Sequence, residues 1–146
     1  MSEPALGISH PRLQRLYDYW AARRGGRKMP ARADLDAVEM RYVLGDMMLV
    51  DVIGAPPRFR IRLHGSNLSL RAGCELTGKM LDELPPSEFR TLVHKNWTEV
   101  ATTGQPRHCR RDAVLDGRPY RYESVVLPLS PDGETVNMEL VALIYD

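Results

Sequence analysis

The residues able to do chemistry are few and scattered. His10, His64, His94 and His108 account for every histidine, and no two of them stand at the i, i+4 spacing of a helical metal pair. Neither H-x-E nor H-E-x-x-H occurs, so no metal site is expected. Cys74 and Cys109 are too few for a disulfide framework or a cysteine-based zinc site and read as free thiols. Glycines form neither a P-loop nor a dinucleotide fingerprint, and no serine or cysteine stands in a hydrolase motif such as G-x-S-x-G. Enzyme signals are therefore absent, and binding chemistry is what remains. Arg111, Tyr122 and Ser124 are candidates for it: a guanidinium can grip a carboxylate or phosphate through two parallel hydrogen bonds. The alternative for Arg111 is an arginine that snorkels to water along its aliphatic stem. His94 borders the apolar face of a helix near Phe89, Val93 and Trp97. It reads either as a ligand contact or, as favoured, a surface histidine beside Lys95 and Asn96.

Composition narrows the class without choosing a function. The 146 residues fit one domain; 43% are apolar and 27% charged, as in an ordinary globular chain. Twenty Lys+Arg against 19 Asp+Glu leave a net charge of +1, which argues against a dedicated nucleic-acid binder. No apolar run reaches the ~20 residues of a membrane span. The start, MSEPALGISHPRLQ, lacks the basic and apolar regions of a secretory signal. A cytoplasmic address is expected. The densest basic patch, Arg23-Arg24-Gly25-Gly26-Arg27-Lys28, reads as a solvated helix end, since helix C-termini attract cations.

These residues must be positioned by regular elements. Pro11 to Arg24 reads as a helix capped by Ser9 or His10, with Pro11 at its first position and Gly25-Gly26 as its stop. Leu13, Leu16, Tyr17 and Trp20 fall on one face. This stripe must cover something, either a sheet of the same chain or a partner in a homodimer. Asp36 and Glu39 have capping-box spacing for a short helix reaching about Leu44. Met47 to Ile53 and Arg58 to His64 form a hairpin, with Phe59, Ile61 and Leu63 facing one way and Arg58, Arg60, Arg62 and His64 the other. Short helices follow over Ser66 to Ala72 and near Lys79 to Leu84. A longer helix then runs from Ser87 to about Thr103.

The last third reads as three strands. Asp116-Gly117 is a two-residue hairpin turn between Arg107–Leu115 and Arg118–Leu129. It pairs Leu115 with Arg118, Ala113 with Tyr120, Arg111 with Tyr122 and Cys109 with Ser124. Ser130-Pro131-Asp132-Gly133 reads as a type I turn with a bulge at Gly133, followed by a strand from about Thr135 to Tyr145. A three-residue loop there would pair Val126 with Met138, Ser124 with Leu140 and Tyr122 with Ala142. Met138 would then share the face of Tyr120 and Tyr122. The expected architecture is α+β: a five-stranded antiparallel sheet with the middle helices on one face and the N-terminal helix on the other.

That order of elements, with Gly65-Ser66-Asn67-Leu68 and Gly73-Cys74-Glu75-Leu76-Thr77-Gly78-Lys79-Met80-Leu81-Asp82-Glu83-Leu84, resembles a PAS domain. Further carriers are Leu16-Tyr17-Asp18-Tyr19-Trp20, Arg24-Gly25-Gly26-Arg27-Lys28-Met29-Pro30, Arg32-Ala33-Asp34-Leu35-Asp36, Arg121-Tyr122-Glu123 and Leu127-Pro128-Leu129-Ser130. Together they are similar to a family of small bacterial single-domain PAS-like proteins and span nearly the whole chain. The resemblance implies a sensory or regulatory role and a ligand cavity under the middle helices, but no particular cofactor. Some haem-binding relatives place their iron ligand in the helix that carries His94. Flavin photoreceptors keep a reactive cysteine near the position of Cys74, but the motif around it is missing here.

The expectation is one domain over 1–146, with an N-terminal extension (1–45) and a PAS core (46–146). It is a non-enzymatic sensor whose pocket draws on His94, Trp97, Arg111, Tyr120, Tyr122, Ser124 and Met138. A protein partner, a possible small-molecule ligand and a homodimer are expected, with neither nucleic acid nor membrane. Two alternatives stand beside it: a docking module with a filled cavity, and a small cone-shaped α+β enzyme of the isomerase or dehydratase kind.

Overall fold

A computed structural model describes residues 6–146; the first five residues of the stretch read above as lacking a secretory signal lie outside it. Helix α1 spans Pro11–Arg24, α2 Ser66–Ala72 and α3 Glu88–Thr103. Strands β1 (Met47–Ile53), β2 (Arg58–His64), β3 (Arg107–Leu115), β4 (Arg118–Leu129) and β5 (Met138–Tyr145) form one antiparallel sheet in the order β2-β1-β5-β4-β3.

The N-terminal stripe covers the sheet of its own chain. His10 caps α1, its Nδ1 accepting the Arg12 N–H at 3.2 Å, and Pro11 opens the first turn. Leu13, Leu16 and Trp20 are wholly buried against Val125, Leu127, Leu129, Leu140 and Ala142, with Tyr17 packed at the margin. Each large apolar side chain removed from water in this way contributes about 1.5–3 kcal/mol. The Trp20 indole N–H donates to the Pro128 carbonyl at 2.9 Å, so its polar atom is satisfied inside the core. The connector continues this layer through Met29, Leu35, Met40 and Val43. The short helix expected up to Leu44 is instead a set of 3-10 turns. Asp36 caps Ala37–Met40 by accepting the Val38 N–H, while Glu39 leaves the cap to bind Arg23 and the Tyr19 hydroxyl.

On the other side of the sheet, α3 starts at Ser87, whose hydroxyl accepts the Arg90 N–H, and ends at Gly104 in the left-handed region. Phe89, Leu92, Val93, Trp97, Val100 and Ala101 point to the sheet. The close seating of α2 requires Gly65, where a Cβ would lie 2.5 Å from the Gly45 carbonyl oxygen.

The β3–β4 register is the expected one: Leu115 faces Arg118, Ala113 Tyr120, Arg111 Tyr122 and Cys109 Ser124. Asp116 and Gly117 both have positive φ (54° and 75°), as a type I′ turn demands. The β4–β5 register is not. Leu129, rather than Val126, faces Met138, Val126 faces Val141 and Tyr122 faces Tyr145. The connection is not a tight turn but a longer excursion. Asp132 Oδ1 accepts the Glu134 and Thr135 N–H groups and the Ser130 hydroxyl, and β5 begins only at Met138. These bonds hold the Asp132 carboxyl down at about 2. The offset is three residues, an odd number, so every β5 side chain lies on the face opposite to the expected one. Met138 therefore packs under α1, and Val141, Leu143 and Tyr145 face α3.

The β1–β2 hairpin forms as expected but carries a bulge. Val50 faces Ile61 while Leu49 faces Leu63, so Arg62 is the extra residue. Beyond it the faces exchange. Leu63, expected inside with Phe59 and Ile61, is 54% exposed, and the ring of His64 turns inward.

Candidate functional site

The α3 side of the sheet encloses a cavity of about 220 Å³. Its floor is β4 and β5, contributing Tyr120, Tyr122, Ser124, Val126, Val141, Leu143 and Tyr145; its roof is Phe89, Val93 and Trp97 of α3, and its wall Leu68, Arg71 and Ala72 of α2. Four aromatic rings close one end: Phe89 stacks on Tyr120 at 4.6 Å, and Tyr122 meets both Phe89 and Tyr145 edge-on. Such rings supply rigid apolar walls with few rotamers to order.

The structure thus brings Trp97, Tyr120, Tyr122 and Ser124 to one cavity. It does not bring His94, Arg111 or Met138 there. His94 is exposed, its ring meeting Phe59 edge-on, because it sits one position past the inward stripe of α3. Arg111 stays at the β3 edge: its Nε donates to the Tyr122 hydroxyl at 2.8 Å and its Nη2 points to Cys109 Sγ at 3.3 Å. It lines a shallow groove with Arg110, Asp112, Arg121 and Asp146 rather than the cavity. Burial raises the Tyr122 hydroxyl's pKa, against the pull of Arg111, so the phenol is neutral. Cys74 is exposed and Cys109 half-buried; both are free thiols.

Among the cavity residues that escaped the sequence reading are His64 and Arg71. His64 enters because of the β2 bulge. Its side chain is 3% exposed, and its Nδ1 accepts the Leu76 N–H at 3.3 Å and meets the Ser69 hydroxyl at 2.9 Å. Burial lowers its pKa, opposed by Glu75, so the ring is neutral. With Nδ1 accepting from the backbone, the proton sits on Nε2. An edge-strand bulge leaves no mark in an alternating sequence, so no signal could have found this histidine. Arg71, in the last turn of α2, lies over the Tyr145 ring at 4.1 Å. Burial drives the Tyr145 hydroxyl up to about 12. The signal for Arg71 was present, three residues after the inward Leu68, and helical spacing puts the two on one face.

Two carboxylates outside the cavity define its setting. Asp46 bonds both covers of the sheet, accepting from Arg12 of α1 at 2.7 Å and from Asn67 of α2 at 3.1 Å. Glu139 of β5 is fully buried on the α3 side, with neither oxygen hydrogen-bonded, and burial holds its pKa well above the usual range. Among the described residues no group of three or more His, Cys, Asp or Glu is placed to hold a metal, and no helix is long and apolar enough to cross a membrane.

A five-stranded antiparallel sheet ordered β2-β1-β5-β4-β3, with short helices and one longer helix arched over one face, defines a cavity-forming α+β domain. The family profile described as "PAS domain" matches residues 8–143, and the chain belongs to that family. Among solved structures it is similar to the PAS domain of Bordetella pertussis BvgS. The TM-score is 0.53 and the identity 20%, covering 77% of this chain and 88% of that one, a likeness of fold. A search of curated proteins finds no match. Family membership supports a sensory or regulatory role.

Proposed function

We propose that this chain is a non-enzymatic sensory domain whose cavity binds one small, mostly apolar molecule and whose output is contact with a protein partner. The observation that carries this reading is the contrast within one sheet. The α1 face is packed shut, while the α3 face keeps about 220 Å³ open between aromatic walls. Native cores fill such space unless something occupies it. Asp46, bonded to both α1 and α2, supplies a route by which filling the cavity changes how α1 is held. A ligand that prefers one arrangement of α2 shifts the population of both. On this reading the described part of the 1–45 extension, residues 6–45, forms an integral cover for the 46–146 core, and the two work as one unit. The stripe Leu13, Leu16 and Trp20 is occupied by its own sheet, so a homodimer would use other surface.

The cone-shaped enzyme reading needs an acid–base pair facing Tyr122. No aspartate or glutamate lines the cavity, and His64 presents an N–H rather than a free lone pair. The pure docking module needs a filled cavity. Native mass spectrometry of protein isolated from its own cells without denaturation separates these readings. We expect a small adduct that is released on unfolding. Bare polypeptide from every growth condition would favour docking.

A further inference from the structure

The cavity is apolar within and cationic at its mouth. Arg71, Arg90 and Arg118 all stand among its lining residues, and not one acidic residue does. Arg90 is engaged with the Leu84 carbonyl. Arg71 and Arg118 form no ion pair with any described carboxylate. Arg71 gives one N–H to the Pro119 carbonyl at 3.3 Å, and its guanidinium face lies on Tyr145. Arg118 sits over the Tyr120 ring, 6.0 Å from its centroid. The Tyr145 ring and the Pro119 carbonyl hold the Arg71 group at the rim, its remaining N–H groups are paired with no described carboxylate, and a guanidinium edge matches a carboxylate through two parallel bonds. The phenols behind them, Tyr122 and Tyr145, are held neutral, so nothing in the wall repels an anion at the rim.

Volume bounds the apolar part. A dry cavity of about 150 Å³ accepts benzene. The 220 Å³ here therefore takes a ring with a short side chain, or an alkyl chain of similar size. We infer that the ligand is a small monocarboxylic acid, its carboxylate held at the mouth by Arg71 and Arg118 and its apolar body, an aryl or short alkyl group, lying between Phe89, Trp97 and Leu143. This inference rests on the reading of the cavity as a ligand site and names the ligand's chemical class. The charge at the rim supplies selectivity, because a neutral analogue forfeits the charge-assisted bonds while filling the same space.

The test is calorimetric titration of the full chain with phenylacetate and octanoate, each against its neutral amide, phenylacetamide and octanamide. At least one acid is expected to bind about tenfold or more tighter than its amide. Arg71→Met, at an exposed position where folding is not at stake, is expected to weaken the acid about tenfold and leave the amide unchanged, and Arg118→Met to weaken it less. Equal affinity of acid and amide, or an acid affinity untouched in both variants, overturns the inference. Amides or other neutral molecules binding while acids fail would overturn the acid and leave the ligand-binding reading standing. Failure of all four probes, together with bare protein in native mass spectrometry, overturns both.

Discussion

The two faces of the sheet are built from the same strands by opposite rules. Under α1 the side chains are sealed from water: Leu13, Leu16, Trp20, Leu127 and Leu129 have no exposed surface, and the one indole N–H among them finds a carbonyl. Under α2 and α3 the walls are aromatic and stand apart, the Arg71 and Arg118 guanidinium groups are paired with no described carboxylate, and a void remains. The difference teaches a division of labour. The larger buried cluster lies on the α1 face, and the α3 face combines a smaller one with room for a ligand.

Substitutions can break this contrast, and the largest effect belongs to the sealed face. Trp20→Ala is expected to cost about 3–5 kcal/mol in urea denaturation, since it leaves a large void and an unpaired Pro128 carbonyl. A matched pair of leucines on neighbouring strands sharpens the point. Leu127→Ala should cost about 3–4 kcal/mol and Leu143→Ala about 2 kcal/mol, because part of the Leu143 surface already faces open space. Equal costs would mean that the cavity is filled by the protein's own fluctuations.

Two glutamates extend the comparison to pH. Glu123 ties the chain before α1 to the sheet, accepting the Ser9 and His10 N–H groups at 2.8 and 2.9 Å and lying 2.6 Å from His108 Nε2. Burial alone would raise its pKa, but the bonds from Ser9, His108 and His10 outweigh it, and the folded pKa lies below the ordinary value. Its stabilisation is present above the ordinary glutamate range and is lost as pH falls through the folded pKa. Glu123→Gln should cost about 1–3 kcal/mol at neutral pH and shift the acid limb of a stability–pH curve. Glu139 has the opposite sign: burial raises its folded pKa, so the fold binds a proton that the unfolded chain releases. Stability is then greatest below the ordinary glutamate range and falls as pH rises toward the folded value. Denaturation of Glu139→Gln across pH should show that decline flattened. The smallest effect is at the surface, where Arg58 grips Asp82 through two bonds of 2.7 and 2.9 Å with both side chains exposed. Arg58→Gln should leave the denaturation midpoint almost where it is, and added salt should erase what difference there is.

How much of this was readable beforehand depended on whether a short-range rule governed it. The Asp116-Gly117 turn allows two residues and one geometry, so the β3–β4 register, and with it Tyr120, Tyr122 and Ser124 on a common face, followed from the sequence. The β4–β5 connection had no such constraint. Apart from Glu139, MELVALIY is apolar on both faces and buried on both, so its pattern cannot report a slip of three residues, and Met138 was assigned to the wrong side. The Asp132 bonds to the Glu134 and Thr135 N–H groups are a side-chain turn that competes with the hairpin turn expected there. His64 was hidden by a bulge that only pairing reveals. Arg111 was placed on the right strand face but too near its edge to reach the cavity.

The contrast between the faces is tested most directly by methyl NMR of the intact chain titrated with benzene, an apolar probe with no charge to favour the arginines. The account predicts saturable shifts at Val93, Val126, Val141 and Leu143, with Leu13, Leu16, Leu127 and Leu129 unmoved. Shifts spread over both faces, or none at the four cavity residues, would contradict it.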